Sequence, residues 1–108
     1  MELNSRRILE VTKCNNMEEF DNVQILLNSR NIFYYASTGP LSISKRSRVD
    51  SSYFFWNFSG FPVWIIVQYV NSIGRSSETN YYIVDEDIYK EYYIQDERRL
   101  KLERLSII

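Results

Sequence analysis

The chain has 108 residues, 44% of them hydrophobic and 25% charged, with a formal net charge of −1. That length makes one domain, residues 1–108, with a core of its own, and the balanced charge leaves no global electrostatic footprint for nucleic acid. With no histidine and one cysteine, the usual general base, any Ser–His or Cys–His pair, a soft-ligand zinc site and an internal disulfide are all removed.

Residues 1–7 lack the long apolar segment of a secretory signal. The longest apolar stretch, 61–70, contains Pro62 and Gln68 and is too short to span a bilayer. The expected location is therefore cytoplasmic, in the protein's own cell or in a host's. Residues 6–12 read as a short strand, although the adjacent Ile8 and Leu9 break strict alternation. Asn15 and Asn16 are favourable N-caps, and Glu18, Glu19 and Asp21 suit a first helical turn. Phe20, Val23, Leu26 and Leu27 recur at helical spacing, which predicts a helix over 17–29.

Residues 32–36 are strand-like and end at the breaker Thr38-Gly39-Pro40. Leu41 and Ile43 alternate with Ser42 and Ser44, which suits a short strand running into a basic loop, Lys45-Arg46-Ser47-Arg48. The aromatic run 53–58 and the apolar run 63–70 read as two strands joined through Ser59-Gly60-Phe61-Pro62, a predicted hairpin. Positions 63–67 are apolar without exception, so that strand is expected to be covered on both faces. A polar loop over 71–80 leads into a strand over 79–84.

Asp85 then suits an N-cap, with Glu86 and Asp87 in the first turn of a short acidic helix. Ile88 and one of Tyr92 or Tyr93 are expected to face the core, with the acids outward. Leu100 and Leu102 alternate with Lys101 and Glu103, as in a closing edge strand, which is the favoured reading, although Leu102 with Leu105 also fits a helical continuation. The predicted class is α+β, a mostly antiparallel sheet of about five strands with one longer N-terminal helix and one short acidic helix.

Charge is unevenly spread along the chain. Lys45, Arg46 and Arg48 cluster near the middle, acids dominate from Glu78 to Glu97, and Arg98, Arg99, Lys101 and Arg104 follow. Residues 81–97 carry six carboxylates and five tyrosines against one lysine. Carboxylates steer basic partners and tyrosines supply large, rigid contact area. Tyr82, Asp85, Glu86, Asp87, Tyr89, Glu91, Tyr92 and Tyr93 are accordingly the candidate surface for a basic or nucleic-acid-processing protein. The leading expectation is a small binding protein of the inhibitor, immunity or anti-defence kind, as found on phage and mobile elements, with no cofactor and the balance against enzymatic activity.

Two other readings stand beside it. Lys45, Arg46 and Arg48 precede Tyr53, Phe54, Phe55 and Trp56, a combination suited to single-stranded nucleic acid, whose bases stack on rings. From Leu41 onward the order also resembles the later half of restriction-endonuclease-like domains: a basic strand, an aromatic strand, a buried strand, the strand of Tyr81-Tyr82-Ile83-Val84 and a capped acidic helix. That resemblance implies a nuclease or a degenerate relative. Glu10-Val11-Thr12-Lys13, however, is one residue longer than a Glu-x-Lys strand motif and puts Glu10 and Lys13 on opposite faces. The third reading is a structural subunit whose exposed aromatics are covered by further copies of the chain. Cys14, with neither a second cysteine nor a base, reads as a spare thiol.

Overall fold

The computed structural model of the chain describes residues 4–37, 43–46, 48–72 and 77–106. Its strands are β1 (Asn4–Cys14), β2 (Phe33–Ser37), β3 (Ile43–Arg46), β4 (Val63–Ser72) and β5 (Glu78–Val84). They form one mixed sheet in the order β1-β4-β5-β2-β3. The β1–β4, β4–β5 and β2–β3 pairs are antiparallel, and β2–β5 is parallel. The helices are α1 (Met17–Ser29), α2 (Ser51–Asn57), α3 (Glu86–Ile88) and α4 (Ile94–Ser106), with a π-helical turn, Tyr89–Tyr93, joining the last two into one continuous run. The class is α+β. The expected breaker Thr38-Gly39-Pro40, Leu41 and Ser42 of the expected strand, and residues 73–76 of the expected loop lie outside the described residues; the ends of that expected loop, Asn71 with Ser72 and Glu78 to Asn80, belong to β4 and β5 instead.

Both faces of the sheet are covered. On one, Phe20 and Leu27 of α1 and Phe54 of α2 pack with Val63, Ile65, Val67, Tyr81 and Ile83. On the other, Trp64, Ile66 and Val84 pack with Tyr89, and with Tyr93 and Ile94 at the edge of the cluster. Residues 63–67 of β4 are therefore all buried, alternately toward the two helical layers, as an unbroken apolar strand requires.

A β-bulge explains the irregular start of the chain. Register shifts between Ile8, opposite Gln68, and Glu10, opposite Val67. The extra residue lets Ile8 and Val11 join the Trp64 cluster while the intervening Leu9 joins the other. Adjacent Ile8 and Leu9 thus serve two cores.

α1 matches its predicted span, capped by Asn16, whose side chain accepts from the Glu19 amide at 2.9 Å. It ends at Asn31, which takes the left-handed conformation (φ 60°) that asparagine tolerates, while the Ile32 amide bonds back to the Leu27 carbonyl at 2.9 Å.

Two expectations are overturned. The aromatic run 53–58 is not a strand of a hairpin; it lies in α2 and its C-terminal boundary. Asp50 caps that helix by accepting from the Tyr53 amide at 2.8 Å. Phe54 and Phe58, four apart, then stack on one side, 5.3 Å between centroids. A strand would instead have aligned Phe54, Trp56 and Phe58. Nor do Leu100 and Leu102 form an edge strand: the acidic helix continues through them to Ser106, making it longer than α1. Ion pairs at helical spacing, Glu97–Lys101 and Arg99–Glu103, support that continuation, and Arg99 donates to the Ile8 carbonyl at 3.0 Å, tying α4 to β1.

Candidate functional site

The acidic surface begins where β5 ends. Asp85 leaves the sheet in extended conformation and accepts from the Ile88 amide at 2.9 Å, which starts the helix as its sequence suggests. The π-helical turn follows at once, and its side chains divide between core and surface. Tyr89 is buried and lies flat on Trp64, with centroids 4.2 Å apart. Its hydroxyl donates to Glu97 at 2.7 Å. Tyr93 is half-buried and receives a hydrogen bond from the Tyr82 hydroxyl, also half-buried.

Ile88, expected in the core, is instead 39% exposed, and Tyr92 is 61% exposed. Asp85, Glu86, Asp87 and Glu91 are exposed beside them. Tyr89 therefore takes the core position expected of Ile88 and drops out of the candidate contact surface. Tyr82 and Tyr93 are only half-buried and are engaged with each other. The remaining exposed set is Asp85, Glu86, Asp87, Ile88, Glu91 and Tyr92. Lys90 is held by Glu86 at 2.9 Å, and this carboxylate raises the affinity of the ammonium for its proton. Among the described residues, Asp87 and Glu91 have no ion-pair partner.

A depression of about 260 Å³ adjoins this surface, lined by Ser59, Gly60, Phe61 and Pro62 on one side and Asp85, Glu86 and Asp87 on the other. Gly60 holds φ +150°, a region that residues with a Cβ rarely adopt, so the turn forming this wall requires glycine. The sequence shows the acids of this depression but not its other wall, because the α2 helix brings Ser59 to Pro62 alongside them.

Burial and hydrogen bonding set the protonation of the supporting layer. Burial, reinforced by Glu97, pushes the Tyr89 hydroxyl up to about 12, so it stays a donor. Burial also works to raise Glu97, but the Tyr89 hydroxyl and Lys101 outweigh it and hold the carboxyl below its usual range. The acid is therefore an anion held on α4 between the Tyr89 hydroxyl and Lys101.

The other candidate residues separate. Lys45 and Arg46, expected in a loop, lie within β3 at the edge of the sheet, where Arg46 pairs in register with Tyr34. Arg48 is exposed just before α2. Of the aromatics beyond it, Phe54 is buried and Tyr53 is half-buried, edge-on to Tyr34. Phe55 and Trp56 are 63% and 89% exposed.

Nuclease-like chemistry gains nothing from the geometry. Glu10, paired with Arg30 at 3.0 Å, sits opposite Val67, whereas Lys13 sits opposite Trp64, 5.7 Å from its ring centroid. Val67 and Trp64 belong to different faces, so Glu10 and Lys13 diverge. Among the described residues no three His, Cys, Asp or Glu side chains gather as a metal site, and no helix is long and apolar enough to cross a membrane. Cys14 is fully buried, and burial, with Glu19, pushes its thiol up to about 12. It is an inert core side chain.

Comparison of the chain with protein-family models, with curated proteins and with solved structures returns no match.

Proposed function

We propose that this chain is a binding module that engages a basic protein through Asp85, Glu86, Asp87, Ile88, Glu91 and Tyr92. One observation carries the reading: Tyr92 and Ile88 stand out to solvent among exposed carboxylates on a helix that is otherwise anchored from below. A solvated acidic helix face needs only the charges. An exposed tyrosine and isoleucine among them add the apolar contact that slows dissociation, while the carboxylates speed encounter. The adjoining depression, rimmed by three acids, suits a lysine or arginine side chain of the partner. A π-helical turn, a departure from α-geometry often found at functional sites, supports the same location. A nucleic-acid-processing protein fits this chemistry because its phosphate-binding surface is basic, and carboxylates compete for that surface.

The test is affinity capture from the native host, then binding kinetics with the captured protein. Charge reversal at Asp87 and Glu91 is expected to slow association, with the effect shrinking as salt rises. Tyr92→Ala is expected to speed dissociation roughly tenfold or more, the loss of a typical aromatic contact. Unchanged kinetics in both variants would reduce the acids to a solvated helix face.

A further inference from the structure

The helical run from Glu86 to Ser106 carries unpaired charge of opposite sign in its two halves. Among the described residues, Asp87 and Glu91 in the first half have no ion-pair partner, nor do Arg98 and Arg104 in the second. All four are exposed. The other charges of the run pair within it, Glu86 with Lys90, Asp96 with Arg99, Glu97 with Lys101 and Arg99 with Glu103. Residues 101–105 are exposed without exception, and Leu102 and Leu105 are each 66% exposed. No described residue covers this end of α4.

The exposed positions line up. Asp87, Glu91, Gln95, Arg98, Leu102 and Leu105 recur every three or four residues, so they follow one outward line along the run. Tyr89, Tyr93 and Ile94 face the other way and pack with Trp64. A partner that is only basic would satisfy the acids and leave both leucines and both arginines in water. An acidic partner would do the reverse. A second copy of the chain, laid antiparallel across the first, satisfies both halves at once.

The register of such a pair follows from the sequence. With a twofold axis near Gln95, Glu91 of one copy comes level with Arg98 of the other, Asp87 with Arg104, and Ile88 with Leu102. The levels agree to within about 3 Å, two residues' rise along a helix, which an arginine side chain takes up. Each of these pairs occurs twice. A parallel arrangement would instead set Asp87 against Asp87 and Arg98 against Arg98, and like charges repel.

We propose that this face is the contact of an antiparallel homodimer, and that the second copy masks the acidic surface until a basic partner displaces it. The masking rests on the reading of Asp85 to Tyr92 as a protein-binding surface and supplies its regulation. Leu102 and Leu105 of one copy lie over the end of the run where Ile88 and Tyr92 of the other stand exposed, which gives the contact its apolar part. One helix pair is a small interface, so the dimer is weak enough to exchange for a partner.

Sedimentation velocity of the full chain, at rising concentration and at low and high salt, reads the dimer directly. The parent is expected to approach twice its 13.0 kDa chain mass as concentration rises, and less so at high salt. Glu91→Arg and Arg98→Glu should each weaken the dimer roughly tenfold or more, since the axis makes every reversal count twice. Both reversals in one chain restore opposite charge across the axis, and the dimer should return. The positions are exposed, and unchanged circular dichroism would confirm intact folding. Arg98→Glu also leaves every residue of the partner-binding surface in place. At concentrations where the parent is dimeric, this variant should associate faster with the captured basic protein.

A chain that stays monomeric at every concentration overturns the dimer, whatever the partner kinetics show. No recovery in the double reversal overturns the antiparallel geometry. Self-association unchanged by Arg98→Glu but abolished by Trp56→Ala would place the contact at α2 and overturn the proposal. A dimer that behaves as expected, with partner kinetics indifferent to Asp87 and Glu91, would keep the dimer and remove the masking.

Discussion

Tyr89 lies parallel to Trp64, with centroids 4.2 Å apart and planes 7° from parallel, and this contact seats the acidic helix on the sheet. The tyrosine hydroxyl then reaches Glu97, two turns further along the same helical run, so one side chain links β4, the π-helical turn and α4. Tyr89→Ala is expected to destabilise the fold by about 3 kcal/mol, within the range for losing a buried aromatic ring. Tyr89→Phe keeps the stack and loses the bond to a charged acceptor, for about 1.5 kcal/mol. Urea denaturation of the two variants separates the terms, and equal losses would show that the ring contact contributes nothing.

Gln24 is expected to be as costly to replace as a large core residue. Its side chain is fully buried; it donates to the Val49 carbonyl at 3.0 Å and accepts from the Val49 amide at 2.7 Å and the Tyr81 hydroxyl at 2.8 Å. Gln24→Leu leaves those groups without this partner, and about 3 kcal/mol should be lost. Val49 immediately precedes the α2 cap, so hydrogen exchange at the Phe54 and Phe58 amides should accelerate more than at β4. Uniform acceleration would show that the network does not hold α2 in particular.

Asp50→Ala should cost about 1 kcal/mol, the usual loss on removing an N-cap carboxylate. Asp50→Ser, which can still accept from the Tyr53 amide, should recover most of it. Thermal melts of both variants check this, and a serine variant as unstable as alanine would place the effect outside the cap.

Stability should fall on both sides of neutral pH. Tyr89 and Cys14 ionise near 10.0 and 9.0 ordinarily but are pushed up to about 12 in the fold, by burial first. Above about pH 9 the unfolded chain therefore binds fewer protons than the folded one, and stability declines as pH rises toward 12. At the acid end the Glu97 carboxyl is held below its usual 4.5, so its contribution is present above that value and lost as pH falls through the lowered one. Tyr89→Phe should flatten the alkaline decline and Glu97→Gln the acid one. Melting temperatures across the pH range that kept the parent slopes would remove these groups as the cause.

Much of the fold was legible wherever a pattern was local. Asn16 with Glu18 and Glu19, the unbroken apolar run of β4, and Asp85 at the start of an acidic helix each determine their element through caps and periodicity alone. The absence of histidine and of paired cysteines is likewise a property of the chain, and no folding can alter it. The candidate acids were visible as composition, because exposed charge seldom depends on neighbours distant in sequence.

Only tertiary structure decided which aromatic ring went where. Phe54, Phe55 and Trp56 are equally apolar in sequence. A core already supplied by Phe20, Phe58 and Phe61 takes the first and leaves the other two outside. Tyr89 displaced Ile88 from the core because Trp64, from a strand far earlier in the chain, presents a flat face at that point. The β1 bulge similarly depends on β4, which gives Ile8 and Leu9 two separate clusters to join. Caps and spacing act within a few residues and are readable in order. The choice among rings is made by shape against partners that the linear sequence does not bring together.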